Sequence, residues 1–193
     1  MVRKIALGLF ALISLAAIAL FAVASTRPDS YHVERSAVLA APPATVHAVL
    51  EDMHRFHEWS PYKKYDPEMK TDNAGPVAGV GASYHWVGKG EAGEGRMTIT
   101  ESTSPTSVTE KLEFIQPFAD VCEVRFRIAP EGEGSNVTWS LDGKADFKTK
   151  LMSLFWNMDS MIGKDFEEGF ANLNRMLASA PAPAPAAADS TKS

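Results

Sequence analysis

The stretch "KTKLMSLFWNMDSMIGKDFEEGFANLNRML", Lys148 to Leu177, decides the architecture. Its apolar residues Leu151, Leu154, Phe155, Met158, Met161, Ile162, Phe166, Phe170, Leu173 and Leu177 recur at steps of three and four, the repeat of one helix face. As a single helix it would measure about 45 Å at ~1.5 Å per residue, longer than most globular helices. Asn157, Asp159 and Ser160 can cap a new start, and Gly163 and Gly169 lower helix propensity. The spacing therefore predicts a short helix ending near Asn157 and a longer one from about Asp159. A helix with one dry face needs an apolar surface to lie on, and the rest of the chain must supply it.

That surface is legible upstream as extended segments. Tyr84 and Trp86 share one face of Ala82 to Val87, and Met97 and Ile99 share one face of Arg96 to Glu101. Val108, Glu110, Leu112 and Phe114 alternate next, then Cys122, Val124, Phe126 and Ile128, then Val137, Trp139 and Leu141. The opposite positions are largely Thr, Lys, Glu, Arg and Ser, so each strand has one wet and one dry face, the pattern of an antiparallel sheet covered on one side. Ser104-Pro105, Gln116-Pro117 and Glu131 to Gly134 punctuate the strands. An earlier strand, Val33 to Leu39, stops at "APPATVHAVLEDM", where Pro42 and Pro43 cannot continue a ladder and pre-set a helix start. Val46, Val49, Leu50 and Met53 then fall at helical spacing, a second turn carries Phe56 and Trp59, and "SPYKKYDPEMKTDNAGPVAG" reads as a proline-rich loop.

Gly88-Lys89-Gly90-Glu91-Ala92-Gly93 spells G-x-G-x-x-G, but a dinucleotide site needs a helix after the glycines, and Arg96 to Glu101 alternates as a strand. Glu91 and Glu94 would also repel a phosphate. The segment reads as a hairpin connection.

The folding part is a comfortable size for one domain. Lys plus Arg total 19 against 24 Asp plus Glu, a formal charge of −5, and the absence of a basic cluster beyond the N-terminus excludes a nucleic-acid footprint. The single cysteine, Cys122, excludes an internal disulfide framework and reads as a small buried residue. At the N-terminus Arg3 and Lys4 precede an uncharged run from Ile5 to Ala24, long enough to span ~30 Å of hydrocarbon. Residues 1–24 thus form a transmembrane anchor, with the domain on the outer side of the cytoplasmic membrane; Ala22-Val23-Ala24 leaves open a signal segment cleaved after Ala24, which would make the domain periplasmic or secreted. Residues 25–30 are a linker, 31–178 the domain, and 179–193 a Pro/Ala-rich tail expected to be disordered.

The runs "YHVERS", "APPATVHAVLEDMHRFHEWSP", "GVGASYHWVGKGEAGEGRMTITE", "LEFIQPF", "VTWSLDG" and "LMSLFWNMDSMIGKDFEEGFANL" resemble the polyketide cyclase/dehydrase-like branch of the START-related helix-grip (SRPBCC) superfamily from about Tyr31 to Leu177. The resemblance implies an α+β helix-grip fold, a curved antiparallel sheet wrapped around a long C-terminal helix. It also implies a deep apolar pocket between them for lipids, sterols, polyketides or similar small hydrophobic molecules. The expected wall is Tyr84, Trp86, Met97, Leu112, Phe114, Phe126, Trp139, Met158, Ile162 and Phe166.

Three functional classes follow: a carrier or binder of a hydrophobic molecule, a cyclase, dehydratase or hydrolase using the same pocket, and a ligand-free envelope interaction protein. For an enzyme, strand parity puts Glu101 and Glu110 toward the cavity, although both lie close to the Ser102 to Ser107 turn, where solvent would hold them ionised; Tyr84 is the third candidate proton handler. His47, His54 and His57 lack the H-E-x-x-H spacing of a zinc site, so no metal is expected, and no cofactor is called for.

Overall fold

The computed structural model describes residues 2–179; the tail expected over 179–193 lies, from residue 180 on, outside the described residues. A helix, α1 (Val2–Ser25), precedes β1 (Ser30–Leu39), α2 (Pro43–Leu50) and the single turn α3 (Phe56–Trp59). Then come β2 (Lys70–Ala74), β3 (Ser83–Val87), β4 (Glu94–Thr103), β5 (Ser107–Gln116), β6 (Asp120–Glu131), β7 (Gly134–Lys144), α4 (Phe147–Met152) and α5 (Met158–Ser179). The seven strands form one antiparallel sheet in the order β1-β7-β6-β5-β4-β3-β2, and α5 closes over its dry face: an α+β helix-grip fold.

The helix break falls earlier than Asn157. α4 ends at Met152, where Ser153 Oγ donates to Lys150 O at 2.7 Å, and Asn157 Oδ1 accepts from Ser160 N to open α5. Gly163 and Gly169 both lie inside an uninterrupted α5. Gly169 is there for close approach: a Cβ would stand 2.7 Å from Cζ3 of Trp139. The glycine-rich segment joins β3 to β4 through a short 3-10 turn at Gly90–Ala92, and Gly93 adopts φ 57° against Gln116 O, where a Cβ would clash at 2.3 Å. The one strand unread in the sequence, β2, is polar and mostly exposed, and pairs only with β3 at the sheet edge.

Beyond Arg3 and Lys4, α1 carries no charge, and it is exposed along almost its whole length; Arg3–Ser25, 23 residues, is long and apolar enough to cross a membrane, a property that anchors and signal segments share.

Candidate functional site

Strand register arranges the inner face in rows. Tyr31, Gly143, Cys122, Leu112, Met97 and Tyr84 form one row across six strands. The next row is Val33, Leu141, Val124, Glu110 and Ile99; beyond it lie Arg35, Trp139, Phe126 and Val108, with Arg35 bonded to Asp159 at the start of α5. Glu110 therefore occupies, in the middle of the sheet, a position that its row otherwise fills with aliphatic side chains.

Glu110 is 1% exposed, and its Oε2 has no hydrogen-bond partner in the protein. Burial away from water disfavours the charged form and pushes its pKa up to about 8, so the carboxyl is largely protonated at neutral pH. Three other buried side-chain atoms are likewise unpartnered: Nε1 of Trp59, Nε1 of Trp139 and, on the edge strand β2, Oδ1 of Asn73. Tyr62 lies close enough for the Glu110 charge to act on its phenol, whose pKa is raised mainly by burial, with Asp165, Tyr65 and Glu110 adding to it.

The elements that hold these groups are tied to α5 by polar contacts. Asn172 Nδ2 donates to Trp59 O at 3.1 Å, fixing the end of α3. Just beyond, the turn Pro61–Lys64 is held by Asp165, which accepts from Tyr65 Oη at 3.0 Å and pairs with Lys64 Nζ at 2.8 Å. On the opposite side Arg35 reaches from β1 to Asp159 at 3.0 Å and Glu167 at 3.2 Å. The sequence reading singled out none of Arg35, Trp59, Tyr62 and Asp165 as site residues. Strand parity could have marked Arg35, whose inward neighbours Val33 and Leu39 are apolar.

Between these latches the rings are in contact. Trp139 stacks on Phe166 with centroids 4.1 Å apart and planes at 11°, and meets Phe126 at 5.0 Å, Trp59 at 5.6 Å and Phe170 at 5.9 Å. Where the resemblance implies a deep open pocket, this end of the interior is filled ring against ring, because Gly169 lets α5 settle onto Trp139. Among the hollows that open to solvent, one of about 480 Å³ is lined by Thr100, Lys111, Glu123 and Asp142 together with Glu110, Cys122 and Gly143, and another of about 250 Å³ follows the edge between β1 and α5.

The expected wall residues divide by depth. Tyr84, Met97, Leu112, Phe126, Trp139 and Phe166 are buried; Trp86, Met158 and Ile162 are half-buried; Phe114 is 38% exposed at the end of β5. Of the three candidate proton handlers, Tyr84 is buried beside Phe56, with ring centroids 4.9 Å apart, and its row neighbour Met97 separates it from Leu112 on the strand of Glu110. That puts Tyr84 and Glu110 two strands and one row apart, about 12 Å at ~4.8 Å per strand and ~3.4 Å per residue. Glu101 faces solvent, contrary to its parity, because a register shift between Ile99 and Glu101 reverses the alternation; Ser102 turns inward in its place and bonds with His47 Nε2 at 3.1 Å. Glu110, adjacent to the same turn, is buried rather than solvated. His47 is buried while His54 and His57 are exposed, and among the described residues no three His, Cys, Asp or Glu side chains converge as metal ligands. Cys122 is buried under Tyr31, whose Oη lies 3.1 Å from its Sγ; burial pushes the thiol up to about 11.

These features belong to a recognised family. The chain is a member of the family described as "Polyketide cyclase / dehydrase and lipid transport", which matches residues 30–178. Among solved structures it is similar to a Chromobacterium violaceum protein, at 14% identity and a TM-score of 0.55, covering 78% of this chain and 97% of that one. A Rhodobacter sphaeroides protein is similar at 16% identity and 0.56, covering 78% and 93%. A major latex-like protein of Panax ginseng is similar at 14% and 0.53, covering 77% and 98%. At such identities the likeness establishes the fold alone. No curated protein matches the sequence.

Proposed function

We propose that the protein binds or carries a small hydrophobic molecule, of lipid, sterol or polyketide type, between the sheet and α5, with a neutral polar group of the guest on Glu110. The observation that carries this reading is a set of unpartnered polar atoms in an apolar interior: Oε2 of Glu110 and the indole N–H groups of Trp59 and Trp139. A core that only needs filling gains nothing from a buried carboxyl, whereas a guest oxygen or hydroxyl supplies the missing partner. A protonated carboxyl both donates and accepts, which suits an alcohol, ester or ketone and disfavours an anionic headgroup.

Room for the guest comes from the end of the sheet where Trp86, Phe114, Met158 and Ile162 are incompletely buried. Those flexible and half-exposed side chains can part without dismantling the ring cluster at Trp139. The family description joins cyclase and dehydrase chemistry to lipid transport, and hydrophobic binding is the requirement common to both. In this reading residues 31–178 are the binding domain, 1–24 hold it at the cell envelope with Arg3 and Lys4 on the cytoplasmic side, and 25–30 link the two.

A second reading, a cyclase or dehydratase, is favoured by the same carboxyl, whose pKa near 8 suits a general acid or base at neutral pH. Its difficulty is the distance from Glu110 to Tyr84, which leaves Glu110 without a nearby second proton handler among the three candidates. The test is titration of the full chain in nanodiscs with monoolein, against oleate as the anionic counterpart. Saturable binding of monoolein at least tenfold tighter than oleate, retained in Glu110→Gln and lost in Glu110→Leu, is expected. No saturable binding of either, or equal binding to Glu110→Leu, would refute the role given to Glu110.

A further inference from the structure

The cluster formed by α4, the turn after it and the β5–β6 hairpin exposes large apolar side chains that nothing in the domain covers. Phe155 is 64% and Trp156 and Phe118 are each 60% exposed, with Phe147 and Met152 also open to solvent. They are close together: Phe155 and Trp156 have ring centroids 6.3 Å apart, both of their N–H groups donate to Met152 O, and Lys148 Nζ lies over the Phe118 ring. An apolar surface of this kind marks an interaction site.

The fold also says which partner it meets. Phe147, the first residue of α4, packs on Phe21 of α1 with centroids 4.9 Å apart, and Lys150 pairs with Asp29 just beyond the helix. Phe21 lies one turn, about 6 Å at ~1.5 Å per residue, before the end of α1 at Ser25. If α1 spans a bilayer, that turn is at the boundary of hydrocarbon and headgroups, and Phe147 is drawn to the same depth. The link at residues 26–29 is too short to lift the domain away, since β1 begins at Ser30. Trp and Phe beside Lys side chains are the composition of a segment that lies in a membrane interface.

We infer that α4, the turn with Phe155 and Trp156, and the Phe118 hairpin dock into the surface of the bilayer that holds α1. This face adjoins the row of Tyr31, Gly143 and Cys122 and the exposed Phe114, so docking sets the incompletely closed end of the sheet against lipid. The inference requires α1 to stay attached; it does not require a guest in the interior.

The experiment uses the full chain reconstituted into phosphatidylcholine vesicles, with one series containing lipids brominated on the acyl chains. Of the four tryptophans only Trp156 is exposed, and α1 contains none, so quenching by brominated lipid reports docking at that residue. A loss of at least one-fifth of the emission is expected in the wild type and not in Trp156→Phe, whose exposed site tolerates the change. Equal quenching in both variants would overturn the inference. Trp156 shielded from aqueous iodide yet unquenched by brominated lipid would overturn it too, in favour of a protein partner or a second copy. Monoolein binding measured on the same vesicles reports the interior independently, so failure of docking and failure of the binding function give different results.

Discussion

Replacing Glu110 by glutamine isolates what the buried carboxyl costs the fold. In the unfolded chain the group ionises near its ordinary 4.5, and in the folded protein near 8. Below about pH 4.5 it is protonated in both states and carries no penalty. As pH rises through the window, the unfolded chain releases the proton and the folded protein keeps it, so stability falls until about pH 8 and then levels. A window of about 3.5 pH units at ~1.36 kcal/mol each amounts to a loss on the order of 5 kcal/mol. Glutamine keeps the shape and hydrogen-bonding capacity but does not titrate. Urea unfolding of both proteins at half-unit steps from pH 4 to 9 is expected to show Glu110→Gln gaining on the wild type across the window, by several kcal/mol in all, while every other titrating group cancels between them. Parallel stability curves would mean that Glu110 is hydrated or charge-compensated in the fold, and the argument for a protonated interior carboxyl would fail.

Gly169→Ala is expected to lower the melting temperature even though alanine favours helix by about 1 kcal/mol, because the new Cβ meets Trp139 at 2.7 Å and overpacking costs about 1–3 kcal/mol; a stabilised variant would show that α5 is not seated on that ring. Cys122, buried and pushed up to about 11, is expected to resist iodoacetamide at pH 8 in the folded protein and react at once in urea. Rapid labelling of the native protein would mean that the Tyr31 end of the interior is open.

The elements with strong periodicity were legible in the sequence for physical reasons. The face of α5 repeats at helical steps because one side of it, from Phe166 to Leu177, is buried on the sheet, and β4 to β7 alternate because each has one dry face. Polar β2 carries no such pattern, since at the edge nothing covers it and only its pairing with β3 defines it. Glu101 was misplaced because parity extends only as far as the register holds, and a bulge leaves no trace in composition. The candidate list included Glu110 on parity, but its burial near the turn is fixed by α2 and the Pro61–Lys64 turn folding over that end, which is tertiary information. Arg35 and Tyr62 matter through contacts with α5 more than a hundred residues away in the case of Arg35, beyond the reach of any local pattern.

The most direct test of a guest held between sheet and helix is the indole N–H spectrum of the nanodisc-embedded, nitrogen-15-labelled chain during titration with monoolein. Each tryptophan gives one signal, assigned by single Trp→Phe replacements. Binding in the interior predicts that the Trp59 and Trp139 signals, whose N–H groups have no protein partner, shift saturably together. A titration in which Trp59 and Trp139 stay fixed, with any change confined to exposed Trp156, would contradict the account.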